Sequence, residues 1–272
     1  MTWAFLGSRA ASSPRRTTEP LAVTSEVVAR VREGLLARNI PVEELRLDPE
    51  EVHEFTARAG YATRHATYYP WNRAEKSLEH FIAAKLLALG SDDVYIDVAS
   101  ESSPVPEIYS ELFSCTAFRQ DLSYPPGLEG DRIGGDAAAM PVPDGFATAM
   151  ALHCSFEHFE GDADIRFIRE LGRVLRPGGR VCIVPLYLYD HYATLSDPSA
   201  PGSKGFLFEK DTVVHLSKGW GNRHGRFYDP EHLDRRIRSN LDGLRLRIFH
   251  VTNAEAIDRS CYVRFAALIG KP

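Results

Sequence analysis

Residues 132–185, RIGGDAAAMPVPDGFATAMALHCSFEHFEGDADIRFIRELGRVLRPGGRVCIVP, restrict the fold more than any other stretch of the chain. They hold three short apolar runs. One starts at Ile133 and stops at Gly134-Gly135-Asp136, one spans residues 146–152 (FATAMAL), and one spans 180–184 (RVCIV). Uninterrupted apolar runs of strand length fit parallel strands covered on both faces. Between the second and third runs, Ile165, Ile168, Leu171 and Val174-Leu175 return every three or four residues and give a helix one apolar face. Asp162 is placed to cap the start of that helix, because a short carboxylate accepts from its free N–H groups. Pro177-Gly178-Gly179 ends it.

The remaining chain supplies more elements of the same kind. Helices are expected over 24–38, 49–59, 75–89 and 104–113, each with an apolar stripe or a proline at its start. Strands are expected at 94–99 (VYIDVA), 116–119 (TAFR), 244–251 and 262–269. Residues 193–240 are too long for a plain connection and are expected to cover a binding site. That stretch contains GWGNRHGRFYDP, with Trp220, His224, Arg226 and Tyr228.

Composition narrows the class. The chain has 272 residues, 44% hydrophobic and 25% charged, with a net charge of -5. That balance gives no reason to expect nucleic acid, and no apolar run approaches the roughly 20 residues of a membrane helix. The first residues, MTWAFLGSRAASSPRR, lack the pattern of a signal peptide. Four cysteines (Cys115, Cys154, Cys182, Cys261) carry no CxxC spacing and read as buried thiols in a reducing cytoplasm, ahead of a disulfide or metal role. The expected organisation is a mobile tail over 1–20, an N-terminal helical segment and lid over 21–92, and a main domain over 93–272.

One series of residues is specific: Gly135-Asp136-Ala137, Met140-Pro141, Pro143-Asp144-Gly145, Glu157-His158 and Arg173-Val174-Leu175-Arg176-Pro177-Gly178-Gly179. In this order and spacing it resembles the class I S-adenosylmethionine-dependent methyltransferases, over roughly 93–188. The resemblance implies an α/β, Rossmann-like doubly wound sheet of seven strands with the last antiparallel, N-terminal helices, and an insertion between the fifth and sixth strands. It implies S-adenosylmethionine as cofactor, held by Asp97, Ala99, Ser100, Asp121, Leu122, Asp136, Ala137 and His153. A carboxylate at a strand end accepts from two vicinal ribose hydroxyls, and Asp121 stands near the interval from Asp97 that nucleotide folds use. The chain departs from the family in one place. The turn after the first strand reads Ala99-Ser100-Glu101-Ser102-Ser103-Pro104, with no glycine.

For the chemistry, His153 directly follows the fourth core strand, where open α/β sheets bind ligands, and is the expected general base. Tyr69, Trp71, His158, Tyr189, His191, Arg226 and Tyr228 are the expected acceptor contacts. Glu157 and His158 are read as structural or pocket-shaping. Asp190, beside His191, is the candidate ligand of a divalent ion such as Mg2+, an option that stays open. The "EKSLEH" and "RHGRFYDPEHL" stretches look similar to bacterial polysaccharide methyltransferases of the methylmannose type. The expectation is therefore O-methylation of a hydroxyl on a saccharide or oligosaccharide, by a cytoplasmic protein with no membrane partner; a homodimer is left open. Two alternatives remain: a methyltransferase-like binding protein without turnover, and methylation of a small molecule other than a sugar. A nicotinamide dehydrogenase would need G-x-G-x-x-G after the first strand, which is absent.

Overall fold

The computed structural model describes residues 13–272. Its elements, in chain order, are β1 (Arg15–Thr17), α1 (Ser25–Ala37), β2 (Val42–Leu45), α2 (Pro49–Ala59), α3 (Arg73–Leu87), β3 (Val94–Val98), α4 (Val105–Phe113), β4 (Thr116–Asp121), β5 (Gly127–Glu129) and β6 (Arg132–Gly134). There follow β7 (Ala147–His153), α5 (Ala163–Val174), β8 (Leu175–Val184), β9 (Ala193–Ser196), β10 (Val213–Leu216), β11 (Gly225–Phe227), α6 (Pro230–Arg236), β12 (Arg245–Val251), α7 (Ala254–Ile257) and β13 (Phe265–Gly270).

The main sheet runs β2-β12-β13-β8-β7-β3-β4-β6-β5. Its seven central strands are the expected ones. β6, β4, β3, β7 and β8 are mutually parallel, while β13 runs antiparallel to both β8 and β12. Two short strands add to the expected seven: β2 extends the sheet beyond β12, and β5 pairs with β6. Helices cover both faces. Val27, Val31 and Leu35 of α1 share one core with Ile168 and Leu171 of α5, and Leu78 and Ile82 of α3 share the other with Ile108 of α4. Each face thus removes the apolar side chains of the central strands from water, worth about 1.5–3 kcal/mol per large side chain.

Local chemistry sets the helix ends. Thr24 caps α1 by accepting from Val27 N at 3.3 Å, and Asp48 caps α2 by accepting from Glu50 N at 2.9 Å. Asp162 occupies the N-cap position of α5 but makes no cap bond. Its carboxylate is instead taken by Arg166 Nε at 3.1 Å, one turn along, because the guanidinium offers a charged donor. α3 differs from a surface helix. Besides Leu78 and Ile82, its Glu75, Lys76, Glu79 and His80 are all buried, and it packs across β7 and β8.

Residues 193–240 do not form a loose cover. They supply β9, β10 and β11 of a second sheet, ordered β1-β10-β9-β11. The segment expected to be mobile through residue 20 lies outside the described residues up to residue 12, but Arg15–Thr17 pair in parallel with Val213–His215. The pairing satisfies backbone groups that would otherwise stand open on an edge strand.

This second sheet is bolted to the main one by a buried ion cluster. Arg226 donates to Tyr192 Oη (2.9 Å), Phe159 O (2.7 Å), Gly161 O (2.9 Å) and Glu209 Oε1 (2.5 Å). Asp164 lies 3.1 Å from Arg226 and also accepts from Arg236 and from Tyr228 Oη at 2.6 Å. Removing one partner would strand a buried charge, at about 3–5 kcal/mol. Beside the cluster, His224 is buried and neither ring nitrogen has a partner.

Burial, reinforced by the Arg226 charge, lowers the His224 imidazole to about 3. The unfolded chain protonates this ring near 6.5, so the unfolded state binds the extra proton between those values. Its contribution to stability is therefore complete above pH 6.5 and is lost as pH falls toward 3, at about 1.4 kcal/mol per pH unit. In urea titrations across pH 4–6, His224→Leu is expected to flatten the acid slope by about that amount relative to the unmodified protein; an unchanged slope would contradict the burial of a neutral ring.

Candidate functional site

The carboxyl ends of β3, β4 and β6 lie side by side, and the turns that leave them form one wall of a cavity of about 400 Å³. Open α/β sheets place their ligands at this edge. The wall includes Ala99, Asp121, Leu122, Asp136 and Ala137, five of the eight residues expected to hold the cofactor. Arg166, Arg223, Phe159 and His158 close the other side.

The glycine-free turn takes the backbone path that glycine would favour. Ala99 sits at φ 54° and Glu101 at φ 46°, both left-handed. Each costs on the order of 1–2 kcal/mol for a residue with a Cβ. The neighbouring strand offsets that cost. Gln120 Oε1 accepts from Ala99 N at 3.2 Å, while its Nε2 donates to Gly135 O at 2.6 Å. Asp121 Oδ2 accepts from Glu101 N at 2.9 Å, and Oδ1 accepts from Ser123 N at 2.8 Å. Tyr124 Oη donates to the carbonyl of Glu101. A single amide thus ties the β3, β4 and β6 turns together. Gln120 was not singled out by sequence, although it stands directly before Asp121.

Beneath the turn the chain leaves polar atoms without partners. Asp97 Oδ2, Ser100 Oγ and His153 Nδ1 are buried and unpaired. Burial pushes the Asp97 carboxyl up to about 6. Unpaired buried groups are costly and ask for a ligand or an ordered water. The carboxylates at the rim keep capacity as well. Asp121 gives each oxygen one backbone N–H, and Asp136 accepts from Ala138 N and from Arg166, both at 2.9 Å. Each oxygen retains a second lone pair. Small side chains at the turn, orphaned polar atoms below it and two carboxylates with spare acceptors fit a nucleoside that carries a free amino acid, such as S-adenosylmethionine.

A second cavity, of about 440 Å³, adjoins the first. It is lined by Tyr69, Trp71 and Asn72 from the turn before α3, by Lys76, by Cys154, Glu157 and His158 after β7, by Tyr187 and Tyr262, and by Trp220 and Asn222 from the insertion. His158 lines both cavities. Its Nδ1 lies 2.6 Å from His224 O. A carbonyl only accepts, so Nδ1 carries the proton and Nε2 keeps the lone pair. Nε2 stands 3.6 Å from Glu157 Oε1. Burial raises the Glu157 carboxyl, against the pull of His158, and its Oε2 has no partner. Behind this wall, Lys76 Nζ pairs with Glu79 Oε2 at 3.0 Å, and Cys154 Sγ lies 3.3 Å from both Glu79 Oε1 and Tyr187 Oη. Burial opposes the Lys76 charge, but the Glu79 carboxylate beside it holds the ammonium protonated.

Several expected residues stand elsewhere. His153 lines neither cavity. Its side chain is 5% exposed, its Nε2 is 3.8 Å from Asp97 Oδ1, and its ring lies 4.6 Å from that of His80 on α3. Burial lowers it to about 3. Arg226 and Tyr228 belong to the buried ion cluster and do not line the second cavity. Tyr189 packs on His191 and Phe227. His191 lies against Asp190 (2.9 Å) and His215 (3.2 Å). Asp190 is held at 2.5 Å by Arg30, and among the described residues no group of three or more metal-ligating side chains gathers. Tyr69, Trp71 and His158 alone of the expected acceptor residues line the second cavity.

The Gln120 bridge has a measurable consequence. Gln120→Leu would leave Ala99 N and Gly135 O unpaired in a region of low exposure, at a cost of roughly 2–4 kcal/mol. A melting temperature lowered by several degrees in calorimetry is expected, and an unchanged one would mean that the amide does not secure the turn.

The family model described as a methyltransferase domain matches residues 116–183, the span from β4 to the end of β8. No curated protein matches the chain. Among solved structures, the Burkholderia thailandensis 1,6-didemethyltoxoflavin-N1-methyltransferase, with 1,6-didemethyltoxoflavin and S-adenosylhomocysteine bound, is similar at 14% identity over 85% of this chain and 93% of that one, with a TM-score of 0.48. The geranyl diphosphate C-methyltransferase of Streptomyces coelicolor, in complex with Mg2+, geranyl diphosphate and S-adenosylhomocysteine, is similar at 14% identity over 71% and 78%, with a TM-score of 0.41. Among the described residues no helix is long and apolar enough to cross a membrane. Residues 116–183 thus match a methyltransferase domain within the main sheet.

Proposed function

We propose that this protein transfers a methyl group from S-adenosylmethionine to a hydroxyl oxygen of a saccharide. The observation that carries the reading is the junction of the two cavities at His158: one is walled by strand-end carboxylates, the other by aromatic rings and amides. Bound S-adenosylmethionine would supply a methyl carbon that leaves with its bonding electrons remaining on sulfur.

The chain's own residues do the rest. Asp121 and Asp136 offer free lone pairs at the ends of adjacent strands, suited to ribose hydroxyls and to the amino edge of a purine. Arg166 holds Asp136 in place at 2.9 Å. Asp97 Oδ2 and Ser100 Oγ, unpaired under the turn, suit the ammonium group of an amino acid. In the second cavity Trp71 is 81% exposed and Tyr69 lies against it at 5.6 Å. Trp220 faces them from the insertion side of the cavity. Flat apolar faces interleaved with Asn72, Asn222 and Lys76 suit a sugar, which presents C–H faces and a rim of hydroxyls. Such positioning supplies much of the rate enhancement, because a displacement between two held reactants avoids most of the entropic cost of encounter.

Titration calorimetry with S-adenosylhomocysteine tests the cofactor half of this reading. Binding is expected for the unmodified protein, with affinity lowered at least tenfold in Asp121→Ala, equivalent to about 1.4 kcal/mol. Mass spectrometry after incubation with S-adenosylmethionine and short mannosides or glucosides tests the acceptor half. A gain of one methyl group is expected; no gain on any saccharide, alongside methylation of a non-sugar alcohol or amine, would reassign the acceptor.

A further inference from the structure

We infer that His158, and not the histidine that ends β7, is the general base of this site. The inference rests on the methyl-transfer reading above and assigns the proton-accepting atom within it.

Three observations converge on this ring. First, it is the side chain that lines both cavities, so it stands where a cofactor in one would meet an acceptor in the other. Second, its tautomer is fixed. The bond from Nδ1 to His224 O at 2.6 Å uses the ring's single proton and leaves the Nε2 lone pair available. That carbonyl belongs to the stretch anchored by the Arg226 cluster, and Trp220 lies 5.8 Å from the imidazole, so the insertion holds the ring from two sides. Third, Glu157 Oε1 lies 3.6 Å from Nε2. An oxygen there can accept from the N–H that proton transfer would create. His153 has a carboxyl oxygen near its Nε2, Asp97 Oδ1 at 3.8 Å, but lacks the first two features: it reaches neither cavity, and its Nδ1 has no partner to fix the tautomer.

The step balances simply. The O–H bond of the acceptor breaks, its proton passes to Nε2, and the oxygen uses the freed electron pair to bond the methyl carbon. The electron pair of the broken carbon–sulfur bond stays on sulfur, so the sulfonium charge ends on the imidazolium. Glu157 Oε1 stands against that new charge. Nδ1 keeps its proton and its bond to His224 O throughout, which preserves the ring orientation for the next turnover. The imidazolium then releases its proton to water.

The test has three readouts on the full-length protein. Nitrogen-15 spectra of the histidine rings should show His158 as the Nδ1–H tautomer, with its resonance displaced by S-adenosylhomocysteine; His158→Gln provides the assignment. In that variant S-adenosylhomocysteine binding and the melting temperature should stay near those of the unmodified protein. Methyl transfer to the saccharides named above should fall by roughly 10²–10⁴-fold, lose its dependence on a basic group in the pH profile, and recover in part in His158→Ala with added imidazole. An Nε2–H tautomer for His158, or an undiminished rate in His158→Gln, overturns the assignment. Absence of S-adenosylhomocysteine binding in the unmodified protein would count against the cofactor reading instead, and the tautomer measurement decides the base without an acceptor.

Discussion

The Gln120 amide and the Asp121 carboxylate hold together the three turns on which the rest of the site depends. The chain after β3 must leave the sheet edge by a left-handed path, and it must do so with alanine and glutamate. Left to itself such a turn would relax toward an ordinary conformation. The amide clasps the turn from one side and Gly135 from the other, while Asp121 fixes the Glu101 N–H. The cavity wall is therefore a product of side-chain hydrogen bonds from the neighbouring strand. A glycine-rich turn obtains the same path from its own backbone freedom. Where the sequence lacks glycine, side-chain hydrogen bonds from β4 hold the left-handed path.

The second constraint is the burial of charge. α3 lies across β7 and β8 with Glu75, Lys76, Glu79 and His80 inside, and the insertion buries Arg226 and Arg236 against Asp164 of α5. Buried ions add little net stability compared with apolar packing, but they fix geometry because a displaced partner is left unsatisfied. Here the two groups flank the cavity lined by Trp71, His158 and Trp220. One holds the wall formed by Lys76 and Cys154; the other holds the strand whose His224 carbonyl orients His158. Rigidity at this place suits a reaction that depends on alignment more than on added functional groups.

Much of this architecture was legible in the sequence. The apolar runs gave the central strands because parallel strands buried on both faces leave little room for polar residues, and β3, β7 and β8 show that pattern. Asp121, Asp136 and Ala137 were readable as neighbours because strand ends in a doubly wound sheet fall along one edge. His153 stands at the end of β7 as expected, but α3 covers that end, and nothing in the periodicity of α3 says where it packs. Arg226 and Tyr228 mislead through composition. A stretch rich in histidine, arginine and aromatic residues reads as a binding surface, yet the same groups can satisfy one another in the interior, as they do around Asp164. Residues 13–20 read as a polar tail, but an edge of the second sheet was available to pair with them. The bridging amide of Gln120 carried no signal of its own, since a lone glutamine in a strand is usually a surface residue.

The central claim is that the strand-end turns of β3, β4 and β6 hold an adenosine-bearing methyl donor with its reactive end toward His158. A crystal structure of the protein soaked with S-adenosylhomocysteine tests it most directly. The ribose is expected against Asp121, the base against Asp136 and Ala137, the amino group over Ser100 and the sulfur facing the cavity shared with Trp71 and Trp220. A nucleoside bound away from Asp121 and Asp136, or a sulfur turned from His158, would contradict the account.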